Sequence, residues 1–344
     1  MDQESIEDYL NELLEGAEDE LDQVFLSRLK EMEKWLSALF KRYPDPETNS
    51  INRSEIYKLR RFDKEMQFIK QNIQEDYKQA YALIFGLMSS QYVENHLRSG
   101  YVYEMTTQTE MQFAIPNVET IREAVMNPIK EIRLNTTLNG HRNAVIKKIR
   151  TEIAQGIGAG ESYSTMAKRL EEISGFSRRK ARMTARTEAG RSQSLGRLRS
   201  IEKAKEYMPE TKTDEAWLSS RDASVRHAHR VLDGQRKGDD GLFEYQGHKA
   251  RAPSLFGVAK LDIQCRCDTL LLINGEKPDT MRVRDYDDED YQRRLAERIK
   301  EIMADEGKTE KQATRKAKRQ IYPPSKVQEF MDYQAWYDSL LNKG

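Results

Sequence analysis

The chain has 344 residues, 38% of them hydrophobic and 33% charged, and its 57 Lys and Arg balance 57 Asp and Glu to a formal net charge of zero. That length accommodates about two domains with a real core, and so high a charged fraction suits extended helices better than one compact globule. Two cysteines exclude a disulfide framework, no stretch approaches the roughly 18 apolar residues of a membrane span, and the start MDQESIEDYL lacks the basic and apolar regions of a signal peptide. The expectation is a soluble protein made in a reducing cytoplasm, with no membrane partner. The zero net charge hides an asymmetry: residues 1–22 carry ten acids and no Lys or Arg, whereas residues 178–205 carry ten Lys and Arg and two acids.

In chain order, Ile6, Leu10, Leu13, Leu14, Ala17, Leu21, Phe25, Leu29, Trp35, Leu36 and Leu39 recur at helical spacing over residues 4–42. Pro44 and Pro46 end that helix. A second helix is predicted from Ser54 to about His96, the two packing as a long hairpin. Residues 99–116 lose the helical period and predict a connector with some extended structure. The period returns from Val118 to about Tyr207, with breaks predicted at Asn139-Gly140, at Gly156–Gly160 and at Ser174-Gly175. Ser162 is placed to cap the helix that begins SYSTMAKRLEEI. Beyond Pro209 the pattern changes to short apolar pieces between glycines, with Leu270–Ile273 as the clearest buried strand. From Lys277 the chain reads as charged helix, broken at Pro323-Pro324 and followed by an aromatic end at Phe330, Tyr333, Trp336 and Tyr337.

The fold class predicted is therefore mainly α with a small α+β unit. A helical hairpin covers 1–115. A central region covers 116–276, helical over 116–208 and a compact, β-hairpin-like Cys/His unit over 209–276. A charged helical tail covers 277–344.

Chemistry concentrates between Trp217 and Ile273, which hold three of the five histidines (His227, His229, His248) and both cysteines (Cys265, Cys267). If the cysteines lie in a strand, positions i and i+2 face one side, so both sulfurs meet one point with Arg266 turned away. Thiolates and imidazoles bind zinc. His229 is the best third ligand, and His227, His248 and Asp262 compete for the fourth place. The spacing C-x-C departs from the usual C-x₂₋₄-C. Two plainer readings stand beside it: ordinary small buried residues, or a tight, strained disulfide. If zinc binds, a structural ion pinning loops together is the simpler account, since so small a unit has little core of its own.

The segment SRRKARMTARTEAGRSQS places Arg178, Arg182 and Arg186 on one helix face, with Arg179 beside them. Such a stripe attracts DNA phosphates without reading sequence. It also suits pairing with acids elsewhere in the chain. Glu188 is best explained as an ion-pair partner for the arginines.

The order SYSTMAKRL, TARTEAGRSQS, AWLSSRDASVRHAHRVLDGQ, then CRC before an apolar strand resembles the head-morphogenesis family of tailed bacteriophages, the Mu F-like minor head proteins, over roughly residues 120–275. Positions matching the family pattern are Arg186, Thr187, Glu188, Trp217, Arg226, His229, Gly234, Cys265, Arg266 and Cys267. Many relatives have His three residues before the first Cys, where this chain has Asp262. The resemblance implies a minor head component inside the virion near the portal vertex, with the portal protein, capsid or scaffolding proteins and packaged double-stranded DNA as partners. Its implied role is to aid procapsid assembly or genome delivery. Some relatives carry a toxin-like or nuclease domain at the C-terminus; the tail 277–344 is short and charged for one. No nucleophile elbow or phosphate-binding loop appears, so no catalysis is expected. Asp262 in place of the relatives' His weakens a Cys/Cys/His/His site, though Asp also ligates zinc; read from the residues, the candidate cofactor is a structural zinc on His229, Asp262, Cys265 and Cys267, and the candidate DNA face is Arg178, Arg179, Arg182 and Arg186. The competing readings are a metal-dependent nuclease or hydrolase on the same cluster, and a portal-binding adaptor that never touches DNA.

Overall fold

The computed structural model describes residues 3–107, 109–126, 134–220, 225–275, 280–318, 320–321 and 323–329. It is mainly α with small β elements. The helices are α1 (Gln3–Arg42), α2 (Arg53–Tyr57), α3 (Arg61–Thr107), α4 (Val118–Met126), α5 (Leu134–Ala159), α6 (Tyr163–Tyr207), α7 (His227–Leu232), α8 (Ala259–Asp262), α9 (Glu289–Glu306) and α10 (Glu310–Ala317). The strands are β1 (Thr213–Leu218), β2 (Phe243–Tyr245), β3 (His248–Ala250), β4 (Asp268–Ile273), β5 (Thr280–Arg284) and β6 (Ser325–Glu329). They form two-stranded sheets, β1 with β4, β2 with β3 and β5 with β6. Contacts divide the chain into two compact units: Met1–Pro209 with His248–Thr269, and Glu210–Gly247 with Leu270–Gly344.

The first unit is a bundle in which α3 and α6 pack on each other and on α1 and α5. Its continuous apolar core takes Leu21, Phe25, Leu36 and Leu39 from α1, Ile69, Ile73 and Ile84 from α3, Ile149 and Ile153 from α5, and Leu170 and Ile173 from α6. The α1 stripe read from the sequence is the stripe that is buried. α1 stops before Pro44, and Asn52 then accepts the Glu55 amide (3.0 Å) to cap α2. Leu59 and Arg60 adopt left-handed φ values of 52° and 56° at the corner into α3, so the second helix starts later than its charged sequence suggests.

α3 also runs past His96 to Thr107, through the residues expected to form a connector. Its buried face there is polar rather than apolar: Gln91, Asn95, His96 and Ser99 are all buried, which erases the hydrophobic period while keeping the helix packed. Asn95 Nδ2 donates to the Gln193 carbonyl (2.8 Å), Gln193 Nε2 to Gln91 Oε1 (2.7 Å), and Gln91 Nε2 to the Leu10 carbonyl (2.6 Å). At the same seam Gly196 lets α6 approach so closely that an added Cβ would fall on the Tyr92 carbonyl oxygen.

Two of the three predicted breaks are absent. Asn139-Gly140 lies inside α5, where burial of Leu138 and Val145 outweighs the ~1 kcal/mol that a mid-helix glycine costs. Ser174-Gly175 lies inside α6: Ser174 is buried and donates to the Phe25 carbonyl (3.3 Å), so small residues mark the contact with α1 rather than a turn. The middle break is present. α5 ends at Ala159, Gly160 turns with φ 67°, and Ser162 caps α6 by accepting the Thr165 amide.

The second unit has smaller apolar clusters. Ala216, Leu270 and Leu272 form one, with Leu218 against it. Tyr291, Leu295, Ile302, Ala313 and Ala317 form another between α9 and α10. Asp288 caps α9 by accepting the Tyr291 amide (2.7 Å), and Gly307 ends it with φ 60°. The tail is not wholly helical: β5 and β6 pair antiparallel, from Thr280 opposite Glu329 to Arg284 opposite Ser325. Their alternation spans five residues each, too short to stand out among so many charges. The aromatic end at Phe330, Tyr333, Trp336 and Tyr337 lies outside the described residues.

Candidate metal centre

His229 sits on the single turn and a half of α7. Its position is set from β1 and the segment after it. Trp217 is 1% exposed and exchanges backbone bonds with that segment, its amide donating to the Gln235 carbonyl (2.8 Å) and its carbonyl accepting from Gly234 (2.9 Å). The Trp217 ring meets the His229 ring edge-on at 5.6 Å. Ser219 Oγ donates to the His229 carbonyl (2.6 Å), while the Ser219 amide donates to Asp233 Oδ1 (2.8 Å). His229 is consequently buried, whereas His227 on the same helix is exposed and His248 on β3 is half-buried.

The cysteines lie just before β4, not in a strand. What aims them is a loop. Asp262, at the end of α8, is fully buried, and its carboxylate accepts amides from Phe256 (3.0 Å), Gly257 (2.7 Å) and Val258 (3.2 Å). Burial pushes its carboxyl above the usual range, and the Phe256 and Gly257 amides oppose that shift. Gln264 then takes a left-handed φ of 54° and donates its amide to Thr187 Oγ1 on α6 (3.2 Å). Asp268 anchors the far end through Arg197 Nη2 (2.7 Å).

Cys265 is buried, Cys267 is half-buried, and no disulfide joins them. The ligand atoms of His229, Cys265 and Cys267 lie within 4.8 Å of one another. Asp262, expected as a fourth ligand, is not among these residues, and its oxygens accept the loop amides. Two thiols and an imidazole are a zinc donor set, and bond lengths of about 2.0–2.3 Å bring tetrahedral ligand atoms to roughly 3.3–3.8 Å apart. The donor chemistry of these three residues fits such an ion.

Beneath the loop, Arg191 Nη1 donates to both oxygens of Glu188 (2.8 and 2.7 Å), and both residues are buried. Burial holds the Glu188 carboxyl above its ordinary range against the pull of Arg191. Glu188 is thus an ion-pair partner, but of Arg191 rather than of the stripe.

The arginine stripe is committed within the bundle. Arg178 Nη2 meets Asp22 (2.6 Å), Arg182 meets Glu18 (2.7 Å) and Asp22 (3.2 Å), and Arg186 Nη2 meets Glu18 (2.8 Å). Only Arg179 of the four expected DNA contacts is exposed. The acidic start and the basic helix, which look like two separate binding faces in the sequence, are one internal interface.

A helical bundle whose basic helix α6 buttresses a C-x-C loop is the class of protein defined here. The family model described as Phage Mu protein F like protein matches residues 147–270. The minor head protein GP7 of Bacillus phage SPP1 is 38% identical over 283 residues, 82% of this chain and 90% of that protein. The Enterococcus faecalis (strain ATCC 700802 / V583) protein named NAD(+)–arginine ADP-ribosyltransferase EFV is 31% identical over 196 residues, 57% of this chain and 40% of that protein. No solved structure matches the chain. The chain belongs to the Mu F-like family of phage minor head proteins, with a role in head morphogenesis and a place in the virion. No helix among the described residues is long and apolar enough to cross a membrane.

Proposed function

We propose that this chain is a minor component of the phage head that associates with the portal, contacts capsid or scaffolding proteins, and aids procapsid assembly and delivery of the packaged genome. The observation that carries this reading is the likeness to a minor head protein along 82% of the chain. Co-expression with the portal protein of the same phage tests it. The chain is expected to co-purify with portal and to be found in particles at a few copies per head; heads that form, fill and infect normally without it would overturn the reading.

The role of DNA is the point on which a second reading rests. Because Glu18 and Asp22 engage Arg178, Arg182 and Arg186, the pairing favours an adaptor that meets portal without using this stripe on DNA. A Glu18→Gln/Asp22→Asn variant distinguishes the two. If the stripe serves DNA, the variant gains affinity with a steeper salt dependence; unchanged binding leaves the adaptor.

His229, Cys265 and Cys267 are proposed to hold a structural zinc, which when bound would supply cross-linking of loops rather than chemistry. A metal-dependent nuclease or hydrolase on the same residues is the enzymatic alternative. Cleavage of DNA, or consumption of NAD, by the purified zinc-loaded protein, abolished by His229→Ala, would replace the structural reading.

A further inference from the structure

The cysteine loop contains a strained residue at a telling place. Gln264, immediately before Cys265, has φ 54°, a left-handed conformation that a residue with a side chain rarely adopts and that costs free energy. The surroundings must therefore hold it. The Gln264 amide has a partner, Thr187 Oγ1 at 3.2 Å. The Thr187 hydroxyl in turn donates to the Met183 carbonyl one turn back on α6 (2.8 Å). With its proton committed there, the oxygen presents only lone pairs to the loop, so it is a fixed acceptor rather than a rotor.

One turn further along α6, Gly190 supplies room. A Cβ at this position would lie 3.0 Å from the Cys265 carbonyl oxygen and 3.5 Å from Ser254 Oγ. The loop backbone rests directly on the bare helix surface. Glu188 and Arg191, an ion pair within α6, are buried between and beside these two positions.

We propose that Thr187 and Gly190 are positioning residues for Cys265, setting the Gln264 turn in the metal-free protein so that the C-x-C pair is preformed for its ion. The consequence for metal binding rests on the zinc reading above; the turn itself does not.

The test uses full-length protein stripped of metal. Thr187→Val removes the acceptor and keeps the shape, Thr187→Ser restores the acceptor, and Gly190→Ala pushes on the carbonyl. Zinc affinity is read by competition with a chromogenic chelator, and exchange at the Gln264 amide is read without metal. Thr187→Val is expected to lose about tenfold in zinc affinity, the range seen when a group that orients a ligand is removed. It is also expected to exchange the Gln264 amide at least tenfold faster. Thr187→Ser should stay within twofold on both readouts, and Gly190→Ala should weaken zinc severalfold with unchanged helix content. Unchanged affinity and exchange in both Thr187→Val and Gly190→Ala would overturn the proposal. If wild type takes up no zinc, the metal reading fails by itself. The turn is then judged on exchange alone, with slow exchange in wild type and fast exchange in Thr187→Val supporting it, and a Gln264 amide unprotected in wild type refuting it.

Discussion

The bundle interior and the cysteine loop of the same unit are held by different means. In the bundle, Leu36, Leu39, Ile84 and Ile149 are fully buried and position comes from apolar packing along long helices. Burial on that scale tolerates glycines at 140, 156 and 175 within helices. In the loop, backbone amides converge on two oxygen-bearing side chains, Asp262 and Thr187. Apolar area is forgiving of small shifts, whereas a hydrogen bond is lost within a few tenths of an ångström. A site that must bring three ligand atoms to one point is better built on the second principle, with the first as its foundation.

The sharpest way to probe that division is the joint between the two regions. Glu188→Ala leaves the Arg191 charge buried without its partner and is expected to cost about 3–5 kcal/mol, read as a shifted urea midpoint. A loss below 1 kcal/mol would mean that the loop does not rest on this pair. Chelation comes next. If His229, Cys265 and Cys267 hold zinc as proposed, removing it should destabilise the protein by about 3 kcal/mol relative to free zinc a hundredfold above its Kd. Exchange should rise over residues 254–267 and not over α3 or α5, and Cys265→Ser/Cys267→Ser should abolish both the metal and the effect. Accelerated exchange in the bundle as well would erase the contrast.

Within the bundle, His96 tests the polar seam. Burial depresses its pKa to about 4, with Arg199 and Lys203 adding to the shift. The folded state therefore favours the neutral ring. The unfolded chain binds the extra proton between about pH 6.5 and 4, so stability is full above that window and falls by at most roughly 3 kcal/mol as pH drops through it. His96→Gln should flatten the profile, as measured by thermal melts from pH 7 to 4. Gly196→Ala should cost about 1–3 kcal/mol by forcing α6 off the Tyr92 carbonyl, seen in urea melts. Arg150→Ala should cost under about 1 kcal/mol, because Arg150 and Asp63 are both about half exposed. A larger loss in the same melts would show that surface ion pairs matter more to the bundle than its core suggests.

What could be read in the sequence follows the same line. Apolar periodicity disclosed α1, the buried strand β4 and the return of helix before Tyr207, because each announces itself by repeated large side chains. It failed where burial is polar or small: Asn95, His96 and Ser99 hid the end of α3, and Ser174 looked like a break while serving as a contact. The grouping of His229 with Cys265 and Cys267 was legible from residue type alone. The task of Asp262 was not, since a carboxylate three residues before a cysteine looks the same whether it faces an ion or its own loop. Thr187 and Gly190 left a faint signal, small residues three apart on a helix crowded with arginines. The arginine stripe left both DNA and acids elsewhere in the chain open as partners, because sequence shows charges without their pairing, and Glu18 and Asp22 lie more than 150 residues away.

That separation has a consequence in time. During synthesis at about 5–20 residues per second, α1 is complete long before Arg178, Arg182 and Arg186 exist, and it waits roughly 7–30 s for them. Throughout that interval its Leu21 and Phe25 have no α6 to cover them. With ten acids and no Lys or Arg among residues 1–22, copies of this segment carry like charge and repel one another until Arg178, Arg182 and Arg186 are made to neutralise Glu18 and Asp22.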